Sequence, residues 1–220
     1  MFNDDEWQRA RFLATVSAVC ALAILTAMVL ATAITGVSQE AFEIVRPDVA
    51  PAIARAAPAL RVIIAFDVIF LIAYTVFFVS LPKATRAADS PALRLGIKLA
   101  VAVALLDVIE DQHLLILSSR AELGQPLDSL AVELQPLLSQ VKFHFSYLAF
   151  ALVGAGLPRR IWWFSILLAV PLPILGAVQW AVPAWNDALN ILRWGGFFTG
   201  LAGGIIVVRG ACAGETSTRG

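Results

Sequence analysis

The sequence has few charged residues and few cysteines. Only 15% of its 220 residues are Asp, Glu, Lys or Arg, whereas soluble domains carry about 25%. The formal net charge is +0, so there is no overall basic field that would attract nucleic acid, and no nucleic-acid partner is expected. The two cysteines, Cys20 and Cys212, form no CxxC or Cys/His spacing. This pattern argues against a disulfide framework or a thiolate zinc site.

Apolar residues are abundant instead. They make up 60% of the chain, with a mean hydropathy of +0.82, and a helix of about 20 apolar residues spans a bilayer. The apolar runs predict a single all-α domain, a polytopic bundle of about six transmembrane helices. The predicted spans are 12–34, 60–81, 93–117, 134–157, 161–182 and 189–208.

The segments between the spans predict further features. Residues 35–59 mix apolar and charged side chains and are interrupted at Pro47 and Pro51, which is typical of an interfacial amphipathic helix. Residues 118–133 are polar and acidic, which predicts an exposed loop. The fifth span contains Pro171 two residues before a second proline, so it should kink.

The distribution of Lys and Arg predicts the orientation. Ten of these residues flank the spans on the side of the N-terminus and five lie on the other side. Because basic loops stay in the cytoplasm, both termini are expected there, in a multi-pass protein of a bacterial-type cell inner membrane. Gly196, Gly200 and Gly204 form a smooth stripe that predicts close helix contact and a possible homo-oligomer.

Ionisable residues inside the spans are the most informative feature. Asp107, Glu110 and Asp111 stand at i, i+3 and i+4 in the third span, so the three carboxylates share one helix face, with His113 roughly 60° around from Glu110. Acidic groups inside a membrane normally face the bundle interior or a wet cavity. Crowded carboxylates in such a place call for a proton or a bound cation.

The fourth span offers basic and polar partners. Its polar stripe is centred on Lys142, and a second stripe that includes His144 lies nearly opposite, about 200° away from the lysine. Asp67, Glu110, Lys142 and Arg193 each lie about 10–12 Å below the outer ends of their spans. They are therefore predicted to meet in one layer in the outward half of the membrane. The first stripe is Gln135, Ser139, Lys142 and Ser146, and the second is Gln140, His144 and Tyr147.

This layer predicts acid/base chemistry on a lipophilic small molecule, or binding of such a molecule, with membrane lipid as a partner. In that hypothesis Glu110 or Asp111 is the protonatable group, Lys142 is the charge partner, and Asp67 and Asp107 orient them. The candidate substrate-binding residues are Tyr74, His113, Ser139, His144, Ser146, Tyr147 and Arg193.

Other functions are compatible with the same residues. In a non-catalytic accessory or assembly subunit, the buried ion pairs would only fix helix packing. A zinc-dependent intramembrane hydrolase or a small transporter ranks third. No cofactor is predicted, because the chain has no HExxH motif; a zinc ion, if one were bound, would use His113, His144, Glu110 and Asp111.

The stretch Asp107-Val-Ile-Glu110-Asp111, followed by Lys142 in the next span, resembles a pattern in uncharacterised bacterial multi-pass membrane proteins. In those proteins an Asp-x-x-Glu-Asn-type motif in one span precedes a lysine in the next. The resemblance covers the second to fourth spans and implies only that the motif is a unit. The alkaline-ceramidase-like membrane hydrolases fit less well, since this chain lacks a paired histidine in its last span and has six predicted helices rather than seven.

Overall fold

The computed structural model describes residues 4–43, 48–181 and 186–210. Over these ranges the chain is helical and contains no β-strand, so the predicted all-α fold is confirmed. Two short 3-10 turns, Gln39–Phe42 and Arg159–Ile161, accompany the helices. The helices are α1 Asp4–Thr35, α2 Val49–Ala84, α3 Pro91–Glu122, α4 Ser129–Gly156, α5 Trp162–Ala169, α6 Pro171–Ala181 and α7 Asn186–Gly210.

Five helical segments are long and apolar enough to cross a membrane. The helix α3 is also 32 residues long, but its charged residues keep it from reaching the same apolarity. Its outer face is nevertheless apolar, since Leu105, Ile109 and Ile116 are all more than half exposed while the carboxylates are buried. An apolar outer face and a buried polar face are what a membrane-spanning helix in a bundle requires. The five segments are Asp4–Thr35, Val49–Ala84, Ser129–Gly156, Arg159–Val178 and Leu189–Gly210.

Each helix packs against the next one along the chain, and α7 closes the bundle against α1. The inward face of α1 is built from alanines, with Ala14, Ala18 and Ala21 fully buried. Small residues let helix backbones approach closely in a membrane, where the hydrophobic effect does not drive helices together. The sequence order of the helices therefore brings α2, α3 and α4 side by side around the charged layer.

The predicted kink in the fifth span is confirmed. The helix α5 ends at Ala169, and α6 begins at Pro171 after a single intervening residue, Val170. Proline has no N–H to continue the hydrogen bonds of the preceding helix, and its ring clashes with the previous turn.

The connections differ from their predictions. The helix α2 begins at Val49 and contains Pro51, so residues 49–59 extend a span instead of forming an interfacial helix. Proline is tolerated in the first turn of a helix because the N–H groups there have no partner in any case; Pro47 lies outside the described residues. The third connection is also shorter than predicted, since α3 ends at Glu122 and α4 begins at Ser129.

Glycines at helix contacts set the distances between neighbouring helices. Gly196 packs against Leu172 and Gly204 against Phe77, so two members of the glycine stripe make their close contacts within the chain. Homo-oligomerisation through this stripe stays a prediction. Gly96 lies where α3 meets α4, and a Cβ atom there would be 2.8 Å from the backbone nitrogen of Val153.

We expect Gly96→Ala to lower the free energy of unfolding by about 1–3 kcal/mol, because the backbone of α4 must move to accept the methyl group. Unfolding in mixed detergent micelles measures this change. Gly195→Ala is the matched control, since nothing lies within 4 Å of a Cβ at that helical position. It should be neutral or stabilising by up to about 1 kcal/mol. Equal stability of the two variants would contradict the close α3–α4 contact.

Candidate functional site

Lys142 of α4 lies between two carboxylates of α3. Its Nζ donates a hydrogen bond of 2.8 Å to Oδ1 of Asp107 and forms a second ion pair with Glu110. All three side chains are buried. The structure therefore brings the acidic face of α3 against the basic stripe of α4, as their helical spacing predicts.

Every polar contact that Glu110 makes is with a residue of α4. Its Oε1 accepts hydrogen bonds from Nε2 of Gln135, at 3.2 Å, and from the hydroxyl of Ser139. Together with Lys142, three residues of one polar stripe hold this carboxylate, which is 0% exposed. Because α4 can satisfy Glu110 only in one register, this contact fixes the position of α3 along α4.

A second cluster of carboxylates lies where α2 meets α3. One oxygen from each of Asp67, Asp107 and Asp111 lies within 4.8 Å of the others, and all three residues are buried. Oδ1 of Asp111 accepts a 2.9 Å hydrogen bond from Nε2 of Gln39, while its Oδ2 has no partner among the described residues. Asp67 makes no hydrogen bond or ion pair with any residue in the described ranges.

Arg193 of α7 lies near this layer but pairs with the connection between α1 and α2. Its guanidinium donates to both carboxylate oxygens of Glu43, at 3.0 and 3.2 Å, and lies 3.9 Å from Glu40. It also lies over the ring of Phe143, 3.9 Å from the centroid. The predicted convergence of Arg193 with the α3 carboxylates is therefore replaced by pairing with Glu43 and Glu40.

Burial raises the pKa of Glu43 from 4.5 to about 7. The adjacent Arg193 opposes this rise, as Lys142 does more weakly, whereas the negative charges of Glu40 and Glu110 add to it. The loss of hydration thus outweighs the attraction to the guanidinium. Glu43, which lies in the connection between α1 and α2, therefore changes its charge near neutral pH.

A cavity of about 110 Å³ joins these groups to an apolar wall. The hydroxyl of Tyr74 is buried beside Asp107 at this cavity and forms no hydrogen bond of good geometry with any described residue. The polar end is lined by Gln39, Glu40, Glu43, Asp67, Asp107, Lys142, Ser146 and Arg193. The remaining wall includes Phe70, Phe77, Phe78, Phe150, Leu168, Leu172, Phe197 and Leu201.

The two histidines lie away from the cavity. His113 is half-buried and its Nε2 donates to the carbonyl of Ala131 at 2.7 Å, while His144 is exposed and its Nδ1 donates to the carbonyl of Gln140 at 2.6 Å. In the described ranges no histidine joins a group of three metal ligands. The zinc set His113, His144, Glu110 and Asp111 is therefore not assembled, because the helical turn that aims Lys142 at α3 aims His144 outward.

The other predicted binding residues have separate positions. Ser139 holds Glu110. Ser146 lines the cavity, with its hydroxyl donating to the carbonyl of Lys142 at 2.9 Å. Tyr147 is buried against the ring of Phe143 and does not line the cavity. Of the predicted catalytic residues, Asp67, Asp107 and Lys142 line the cavity, and Glu110 and Asp111 do not.

Sequence reasoning missed three of the polar lining residues: Gln39, Glu40 and Glu43. They belong to the connection for which the sequence predicts an interfacial helix, so hydropathy places them at the membrane surface and not inside the bundle. The signal that could have found them is charge, since Glu40 and Glu43 are acidic and Arg193 is a basic residue predicted near the same side of the membrane.

Comparison with known proteins finds no family model, no curated protein and no solved structure that matches this chain. Its function is therefore argued from the chemistry of the site.

Proposed function

We propose that this multi-pass membrane protein binds a lipophilic molecule with a polar head, and that the cavity carboxylates and Lys142 perform acid/base chemistry on that head. The observation that carries this proposal is a cavity where unsatisfied polar groups meet an aromatic and aliphatic wall. A ligand with a polar head and an apolar chain would hydrogen-bond to the polar groups and pack against the apolar wall.

Two polar side chains at the polar end of the cavity lack a good hydrogen-bond partner within the protein. The hydroxyl of Tyr74 is buried beside Asp107 without a hydrogen bond of good geometry. The carboxylate of Asp67 has no hydrogen bond or ion pair within the described ranges. A buried polar group left unsatisfied costs about 1–3 kcal/mol. A bound head group that hydrogen-bonds to both residues would offset this cost.

The size of the cavity limits what it encloses. A volume of about 110 Å³ is somewhat smaller than the roughly 150 Å³ cavity that holds benzene in an engineered protein. It can enclose a head group and the first part of an apolar chain, so the rest of a longer lipid would lie between helices.

Lys142 and Asp107 supply the chemistry in this proposal. These two side chains, whose Nζ and Oδ1 atoms are 2.8 Å apart, line the cavity next to the Asp67 carboxyl group. A carboxyl group can take a proton from the head group or return it, while the ammonium group stabilises the negative charge that appears. Glu110 keeps Lys142 in place from the other side.

In this proposal the cavity lies in the outward half of a bacterial-type inner membrane. The basic residues of the described termini and turns gather at one end of the bundle: Lys83 pairs with Glu6 at 3.0 Å, and Arg160 donates to the carbonyl of Thr85. The positive-inside rule makes that end cytoplasmic. Asp67 and Lys142 then lie towards the opposite surface.

Native mass spectrometry of the purified protein tests the proposal by detecting a co-purified amphiphile. We expect Asp67→Asn and Tyr74→Phe to reduce its occupancy at least tenfold, because each removes a polar contact to the head group. Glu133→Gln, which changes an exposed carboxylate of α4, should retain wild-type occupancy. Circular dichroism confirms that each variant is folded. Equal occupancy in all of them would contradict a head-group site.

A structural role is the second candidate, and the enclosure of Glu110 favours it. Every polar contact of this carboxylate is with α4, and Glu110 does not line the cavity. If the whole layer served only to fix helix packing, as in an assembly subunit, the same Asp67 and Tyr74 variants would change stability while no bound amphiphile was detected.

A further inference from the structure

We propose that Asp67, Asp107 and Asp111 bind one divalent metal ion of the oxygen-preferring class, Mg²⁺ or Mn²⁺. The ion would lie beside Asp67 and Asp107 at the polar end of the cavity, with Asp111, which does not line the cavity, as its third ligand. This inference therefore rests on the proposed function and deepens it. Its binding can nevertheless be measured with no amphiphile present.

The geometry of the three carboxylates suits a single ion. One oxygen from each residue lies within 4.8 Å of the other two. Ligands at about 2.1 Å from an octahedral ion are separated by roughly 3 to 4 Å, so a small adjustment of the side chains closes the site. Two of the ligands come from one face of α3 and the third from α2, which gives the site rigid walls.

A second observation is that Asp67 and one oxygen of Asp111 have no partner among the described residues. The Asp67 side chain is 8% exposed and lines the cavity, yet it has no hydrogen bond or ion pair to any residue in the part of the chain that the structure describes. Oδ2 of Asp111 is likewise unpartnered and fully buried. Buried carboxylates are normally paired or coordinated to a metal.

The balance of charge favours a doubly charged ligand. Four carboxylates, those of Asp67, Asp107, Glu110 and Asp111, surround one ammonium group, Lys142. Arg193 does not help, because it is already shared by two glutamates of the first connection. A divalent ion would leave one uncompensated negative charge where the protein alone leaves three, in a medium of low dielectric constant.

The donor atoms select the class of ion. All three ligands are carboxylates and neither histidine is present, which favours Mg²⁺ or Mn²⁺ over zinc. Lys142 and Gln39 each contact Oδ1 of their carboxylate partners, Asp107 and Asp111. Oδ2 of Asp111 has no partner in the described ranges and could bind the ion. Mg²⁺ usually keeps several exchangeable positions. Those facing the cavity would coordinate a phosphate or carboxylate on the head group.

Binding of Mn²⁺, followed by electron paramagnetic resonance of the free ion, tests the inference on the full chain in lipid nanodiscs. We expect one Mn²⁺ per wild-type chain, displaced by Mg²⁺, and at least tenfold weaker binding to Asp67→Asn. Asp111→Asn provides a second variant, because its amide oxygen can still accept from Gln39. Asp89→Asn, at an exposed aspartate between α2 and α3, should bind like wild type.

Two results would overturn the inference: no Mn²⁺ binding at millimolar concentration, or weak binding that neither cluster variant changes. If the amphiphile still co-purified and depended on Asp67, the proposed function would stand and only the metal site would fail. If Mn²⁺ bound at the cluster and no amphiphile was found, the metal site would stand without the proposed ligand.

Discussion

Lys142→Met should lower the free energy of unfolding by about 3–5 kcal/mol, because it leaves buried carboxylates without their positive partner. Asp107 loses its 2.8 Å hydrogen bond and Glu110 loses its ion pair. Neither carboxylate has another cation within contact distance among the described residues, since Arg193 pairs with Glu43 and Glu40. The cost is therefore that of unpaired buried charge rather than of one lost contact.

Unfolding in mixed detergent micelles at pH 8 measures this effect. Lys98→Met is the control, since it removes an exposed lysine of α3 that lies outside the charged layer. The double variant Lys142→Met with Glu110→Gln should recover part of the loss, because one of the unpaired charges is removed with the lysine. A loss no larger than that of Lys98→Met would show that Lys142 does not stabilise the fold.

The helices and the pairing of α3 with α4 were predictable because both follow from helical periodicity. An apolar run of 20 or more residues predicts a span, and residues three and four apart predict a shared face. The run of the second span begins only at residue 60, whereas α2 begins at Val49. Pro51, Arg55 and Pro58 interrupt the apolar run without interrupting the helix, so hydropathy underestimates its length.

The rest of the site was not predictable, since it depends on a connection that folds back into the bundle. Gln39 and Glu43 have no helical partner face, and only the three-dimensional fold shows that they meet Asp111 and Arg193. The sequence predicts Glu110 or Asp111 as the protonatable group, whereas the carboxylates that line the cavity are those of Asp67 and Asp107. The acidic face of α3 was predictable, but which side of that face opens onto a cavity depends on how α2 and α7 pack.

Arg193→Met is expected to lower the free energy of unfolding by about 3–5 kcal/mol at pH 8 and by much less at pH 5. The reason is the titration of Glu43, whose pKa burial raises from 4.5 to about 7 even with Arg193 present. A carboxyl group with a raised pKa binds its proton more tightly in the folded chain. Its favourable contribution is complete below about pH 4.5 and is lost as the pH rises through 7.

Without Arg193, the groups left around Glu43 are the negative Glu40 and Glu110 and the more distant Lys142. The pKa of Glu43 should therefore rise further in the variant, so its stability continues to fall at pH values where the wild type has levelled off. At pH 5 Glu43 is protonated in both proteins, and the loss of the guanidinium then costs its packing over Phe143 and its 3.9 Å contact with Glu40. Unfolding curves between pH 5 and pH 8 measure the difference.

Adding Glu43→Gln to the variant should remove most of the pH dependence, whereas Arg209→Met, at an exposed arginine of α7, should show none. An equal loss at both pH values would mean that Arg193 acts through shape and not through its charge.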